Sequence, residues 1–197
     1  SAYTSGGFDC EESDYVSPLI EGNEIYHNGG GVRLSASSSR SRTCFCWGWC
    51  FLPKATVGGD VIQNRIYANG SGITAYTSRD WIDTIYGRKA GLPARVTTLI
   101  SNNIVVENLG NGISLSTGGD LGGSLSTDIV NNTIVGNDGA GVWHSENVTS
   151  SFTAKNNIVC KNKRGIVTES GFDPNQNSNY VVSYNNVTDN NNGDWVN

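Results

Sequence analysis

Three observations make this sequence an all-β solenoid. Asn and Gly supply 24 and 25 of its 197 residues, against 4 Pro and no Met, and both are poor helix formers. Hydrophobic residues make up 37%, many of them Ile and Val, which is enough to bury and argues against disorder. A single pattern recurs six times: an apolar strand, an Asn, an apolar residue two positions on, a second Asn, then Gly and a β-branched residue.

The copies follow in order. The first runs from Ile20 to Val32, with Asn23, Ile25, Asn28 and Gly31 at the pattern positions. The second places Asn64, Ile66, Asn69 and Gly72 between Val61 and Ile73. The third, from Leu99, sets Asn102, Ile104 and Asn108 before Gly112-Ile113. The fourth has Asn132, Ile134 and Asn137 before Gly141-Val142, and the fifth Asn156, Ile158 and Asn162 before Gly165-Ile166. The sixth is the loosest: Asn185 and Val187, then Gly193. The first Asn of successive copies advances by as little as 24 residues (132 to 156) and by as much as 41 (23 to 64). A hairpin meander would not return to the same pattern after such unequal insertions. A solenoid does, because each coil need only close above its predecessor while its loops vary. The expected fold is a single-stranded right-handed parallel β-helix of about six coils, one domain over 1–197, with insertions at 35–57 and 76–95.

On that fold the composition has a purpose. Buried Asn side chains at a bend can hydrogen-bond from coil to coil and to free backbone groups, and Gly supplies corners with positive φ. One ladder is expected from Asn23, Asn64, Asn102, Asn132, Asn156 and Asn185, a second from Asn28, Asn69, Asn108, Asn137 and Asn162. The stretches Asn131–Val142, Lys155–Asn162 and Tyr184–Val187 resemble the right-handed parallel β-helix repeat proteins of the pectate-lyase-like superfamily. The resemblance covers nearly all the chain outside the insertions. It implies the fold but no single activity, since such proteins include lyases, hydrolases, epimerases and non-catalytic surface proteins.

Function is sought where the repeat breaks. Both insertions leave from the same phase of the coil and should emerge side by side. Their aromatics Trp47, Trp49, Phe51, Trp81 and Tyr86 either contact a sugar or protein partner or pack on each other over the solenoid wall. An outward row containing Tyr26 and Tyr67, continued by Val105, Val135 and Val159, is too apolar for an idle surface. The opening Ser1-Ala-Tyr-Thr-Ser5 aligns with Ala75-Tyr-Thr-Ser78, so that the first residues enter in mid-strand; residues 190–197 stop at nearly the same phase. This reads either as a piece of a longer β-helix or as copies stacked end to end.

The cysteines point outside the cell. Cys10, Cys44, Cys46 and Cys50 are expected in disulfides, with Cys160 left over; a metal reading of the cluster lacks a fourth ligand. Sequons at Asn69, Asn131, Asn147 and Asn186 fit a secreted or cell-surface glycoprotein. No signal peptide is visible and the chain does not begin with Met, as in a processed chain or a fragment. Thirteen Lys and Arg scattered among 18 acids give no nucleic-acid surface, and no apolar run is long enough to be a transmembrane segment.

An active site is hard to assemble. The outward row Arg33, Thr74, Ser114, Trp143 and Val167 holds one arginine and no acid. Arg33, Arg65 and Arg79 approaching one another beside Asp80 would be the nearest thing to a lyase centre. His27 and His144 lie in different coils, so serine chemistry has no base. No cofactor or metal is expected. Two readings stand: a non-catalytic extracellular solenoid acting in assembly or adhesion, stacking end to end into a filament; and a carbohydrate-active β-helix that binds or cleaves a polysaccharide.

Overall fold

A computed structural model describes residues 2–5, 14–38, 55–79, 81–84, 87–90, 94–119, 123–145, 150–168 and 180–196. Those residues contain strands and no helix. After β1 (Ala2–Ser5), the first coil holds β2 (Asp14–Val16), β3 (Leu19–Glu21), β4 (Glu24–Tyr26) and β5 (Val32–Ser38). The second holds β6 (Ala55–Ile62), β7 (Arg65–Tyr67) and β8 (Ile73–Arg79), followed by β9 (Trp81–Thr84) and β10 (Gly87–Ala90). The third is β11 (Arg95–Ser101), β12 (Ile104–Val106) and β13 (Ile113–Gly118); the fourth is β14 (Ser124–Val130), β15 (Thr133–Val135) and β16 (Ala140–His144). The fifth is β17 (Ser151–Lys155), β18 (Ile158–Cys160) and β19 (Arg164–Thr168); the sixth is β20 (Tyr180–Ser183), β21 (Asn186–Thr188) and β22 (Trp195–Val196).

Equivalent strands of successive coils pair in parallel and build three walls. The first wall runs β2-β6-β11-β14-β17-β20, with β3 also on β6; the second β4-β7-β12-β15-β18-β21; the third β1-β5-β8-β13-β16-β19-β22. This is the parallel β-helix expected, in six coils. Each wall points alternate residues inward, so columns of one residue type stack along the axis. Ile66, Val105, Ile134 and Val159 form the inner column of the second wall, and Ile73, Ile113 and Val142 one of the third, all fully buried.

The register tests the finer expectations. Ala2 through Ser5 pair with Leu34 through Ser37, which pair with Ala75 through Ser78, so the two Ala-Tyr-Thr-Ser runs do occupy one set of columns. The insertions are shorter than expected. Residues 35–38 and 55–57 belong to β5 and β6, and 76–79 and Arg95 to β8 and β11. The second insertion carries an antiparallel hairpin, β9 with β10.

Both ladders form, with two members corrected. Asn64 gives its backbone N–H (2.9 Å) and Nδ2 (3.1 Å) to Asn103 Oδ1, and Asn103 does the same to Asn132 at 3.0 Å for both. Asn132 repeats the pair onto Asn157, and Asn157 onto Asn185. Asn102 and Asn156 are therefore not in the ladder. They are the corner residues before it, with φ of +56° and +55°, a column shared with Gly22, Gln63, Asn131 and Tyr184. Asn accepts the left-handed corner more readily than other chiral residues, which is why the first Asn of each Asn-Asn pair sits there. The second ladder runs Asn28, Asn69, Asn108, Asn137, Asn162 as expected, and continues to Asn190. In each buried member Nδ2 also donates to a strand carbonyl of the preceding coil, Asn103 to Val61 at 2.8 Å for example. Among the described residues no buried ladder Asn has a side-chain atom without a partner, which is what makes so much interior Asn tolerable.

Candidate functional site

The outer face of the second wall is only two columns wide. One reads Glu24, Arg65, Ile104, Thr133, Ile158, Asn186; the other Tyr26, Tyr67, Val106, Val135, Cys160, Thr188. Val105 and Val159, expected here, are fully buried core residues. Their places on the surface are taken by Val106 and Cys160, one residue on in each three-residue strand. From the third to the fifth coil the wall carries no charge, and Ile104 and Ile158 stay almost half exposed.

At the first two coils the wall turns aromatic. The Tyr26 and Tyr67 rings stack at 5.1 Å and 15°, His27 meets Tyr26 edge-on, and the Arg65 guanidinium lies 4.8 Å from the Tyr67 centroid. Arg65 also reaches Glu24 at 3.4 Å, an exposed pair of little energetic weight. Desolvation by its neighbours, then the Glu24 carboxylate, push the Tyr67 phenol above its ordinary value. The half-buried Cys160 is a free thiol in the same column.

The lyase-like constellation does not assemble. Arg33 shares a column with Thr74, and Arg79 pairs with Ser38, five residues further along the third wall. At about 3.3 Å per residue that is on the order of 16 Å. Arg65 belongs to a different wall, and Asp80 lies outside the described residues. Arg33 instead covers the Tyr76 ring at 5.5 Å. The row Arg33, Thr74, Ser114, Trp143, Val167 lines up in register as read, but Val167 at its end is buried. Among the described residues no three of His, Cys, Asp and Glu are grouped to hold a metal ion. No helix among them is long and apolar enough to cross a membrane.

Other expected residues scatter. Cys10, Cys44, Cys46, Cys50, Trp47, Trp49, Phe51, Tyr86 and Asn147 lie outside the described residues, and Trp81 opens β9. Of the sequons, Asn131 and Asn186 are exposed. Asn69 is fully buried, with Nδ2 donating to the Ile25 carbonyl at 3.0 Å and to Asn108 Oδ1 at 3.2 Å, so the folded coil has no room for a glycan there. The residue that sequence reading missed is Asp194, which the register places at the glycine column where Gly193 was expected.

What the geometry defines is a parallel β-helix solenoid whose second wall carries no charge on its outer face from the third to the fifth coil. Compared with known proteins, the chain matches no family model, no curated protein and no solved structure.

Proposed function

We propose that this chain is a non-catalytic β-solenoid of the pectate-lyase-like type that acts outside the cell by surface contact, in assembly or adhesion. The observation that carries the reading is the second wall's outer face. Val106, Val135 and Cys160, flanked by Ile104 and Ile158, hold apolar surface in front of solvent in the coils where the Asn ladders and core are most completely buried. A wall that only needed to close the coil would carry charge there. The contact with the best support is between copies of the chain through this face.

The test is sedimentation of the chain against a Val106→Lys/Val135→Lys variant. Concentration-dependent association in the wild type, lost in the variant with its melting temperature kept, supports the reading. A wild type that neither self-associates nor is retained on immobilised glycans removes it. Release of unsaturated uronate from pectate or alginate, abolished by Arg33→Ala, would establish the carbohydrate-active alternative instead.

A further inference from the structure

One member of the glycine column breaks its rule. Gly31, Gly72, Gly112, Gly141 and Gly165 stand above one another just before the inward β-branched residues Val32, Ile73, Ile113, Val142 and Ile166. Each faces the following coil too closely for a side chain. A Cβ on Gly112 would stand 2.7 Å from the Gly141 carbonyl oxygen and 3.0 Å from Asn137 Nδ2; one on Gly141 would stand 2.9 Å from Asn162 Nδ2. One on Gly165 would overlap the carbonyl of Asp194. In the sixth coil that position is Asp194 itself. The Ile166 N–H donates to its carbonyl as Ile73 donates to Gly112 and Val32 to Gly72, and the next residue, Trp195, pairs with Ile166.

The Asp194 side chain extends where a following coil would lie. Its Oδ1 accepts the Asn190 backbone N–H at 3.1 Å and Asn190 Nδ2 at 2.9 Å. Asn162 makes the same two bonds to Asn190 Oδ1 one coil earlier, at 3.0 and 3.2 Å. Asp194 thus reproduces the acceptor of a seventh ladder Asn, but a carboxylate has no N–H with which to pass the ladder on. The first ladder has no such terminator. Asn185 Nδ2 reaches back to the Ala154 carbonyl, and its backbone N–H meets no acceptor among the described residues.

The opposite coil face has the matching polarity. Asn23 and Asn28 donate into the stack, to Asn64 and Asn69, so their own Oδ1 atoms are exposed acceptors. The first coil of a second copy is therefore shaped to follow the sixth coil, except at Asp194. There its Asn28 and Gly31 would need the space and the two donors that Asp194 already takes.

We propose that Asp194 is a built-in stop: an intramolecular stand-in for the ladder Asn of a following coil, such as Asn28 of a second copy, that blocks stacking on the sixth coil. The inference rests on the assembly reading but concerns a different face, so it is tested in the Val106→Lys/Val135→Lys background, where wall contacts are removed. Sedimentation velocity is read for Asp194, Asp194→Asn and Asp194→Gly. Asn keeps both the Cβ and the acceptor, so it should behave as Asp. Gly restores the repeat, and should lower the apparent dissociation constant of end-to-end association at least tenfold, with rods in negative stain that Asn28→Ala suppresses. A folded Asp194→Gly protein no more associated than its parent would sink the stop, as would equal association in Asp194→Asn, which would make charge alone responsible. Rods already present with Asp194 intact would also overturn it while leaving the assembly reading in place. The cap is read separately in Asp194→Ala, where the Asn190 amide should exchange at least tenfold faster; unchanged exchange would mean that Asp194 caps nothing.

Discussion

Asn28 in the first coil and Asn132 in the fourth use the same atoms in the same way, yet their surroundings differ. Asn28 is exposed; it donates its N–H to Asn69 Oδ1 at 3.0 Å and Nδ2 to the Tyr26 carbonyl at 2.9 Å, while its Oδ1 faces water. Asn132 is 1% exposed. Its Oδ1 accepts two bonds from Asn103, its N–H goes to Asn157 Oδ1 at 2.9 Å, and Nδ2 serves the Ile100 carbonyl at 2.9 Å. The difference shows that a ladder rung is worth what its loss leaves buried, more than the bonds it makes. Truncating Asn132 orphans the Asn103 N–H and the Ile100 carbonyl in the interior, whereas water replaces what Asn28 loses. Asn132→Ala should therefore destabilise the chain by about 4 kcal/mol, and Asn28→Ala by about 1 kcal/mol or less. Urea unfolding of the two variants measures both. Equal losses would mean that the ladder is held by its corners alone.

The buried histidine of the fourth coil extends the comparison to pH. His27 occupies an exposed corner of the first coil; His144 is 1% exposed in the fourth and stacks on Phe152 at 5.1 Å. Burial lowers the His144 pKa from 6.5 to about 4. The unfolded chain then takes up a proton below pH 6.5 that the folded chain refuses until about pH 4. The stability His144 permits is complete above pH 6.5 and falls through that window, by about 3 kcal/mol in all. His144→Gln should flatten the stability profile between pH 6.5 and 4 relative to the parent. Parallel pH profiles for the parent and His144→Gln would show that the buried ring is solvated in some other way.

How much of this was legible depends on what each residue had to do. The coil was readable because three constraints repeat together: an inward Ile or Val, an Asn at the bend, a Gly at the crowded strand entry. The members of the ladder were partly misread at Asn102 and Asn156, because Asn suits both the left-handed corner and the rung that follows. Spacing resolves it, since Asn103 to Asn108 and Asn157 to Asn162 keep the five-residue interval of Asn23 to Asn28. The same one-residue ambiguity placed Val105 and Val159 on the surface, because in a strand a slip of one exchanges inside for outside. Asp194 was not legible from the repeat. It sits beside Gly193, and only the pairing of Trp195 with Ile166 shows which of the two stands in the column. The lyase constellation failed because its arginines lie on different walls and columns in space.

The smallest expected effect lies at the second corner, where the coils differ in side chain but not in backbone. His27, Ala68, Glu107, Gly136, Lys161 and Asp189 share one column, with φ between +52° and +66°. Only Gly136 takes that conformation without strain, and a Cβ there would meet nothing closer than Glu107 Cγ at 3.7 Å. Gly136→Ala adds strain without a clash and should cost about 1 kcal/mol. Ala68→Gly relieves the same strain in the second coil, but it also frees the unfolded chain, so its gain should be smaller than the loss at Gly136. Both are within reach of a careful thermal melt. The pair also separates corner from rung. Corner substitutions should change stability by similar amounts in the second and fourth coils, because the strain is local, while substitution of a rung should depend steeply on how deeply it is buried. If Gly136→Ala instead cost as much as Asn132→Ala, the left-handed corners would be what holds one coil above the next, and the Asn ladders would follow from that geometry rather than enforce it.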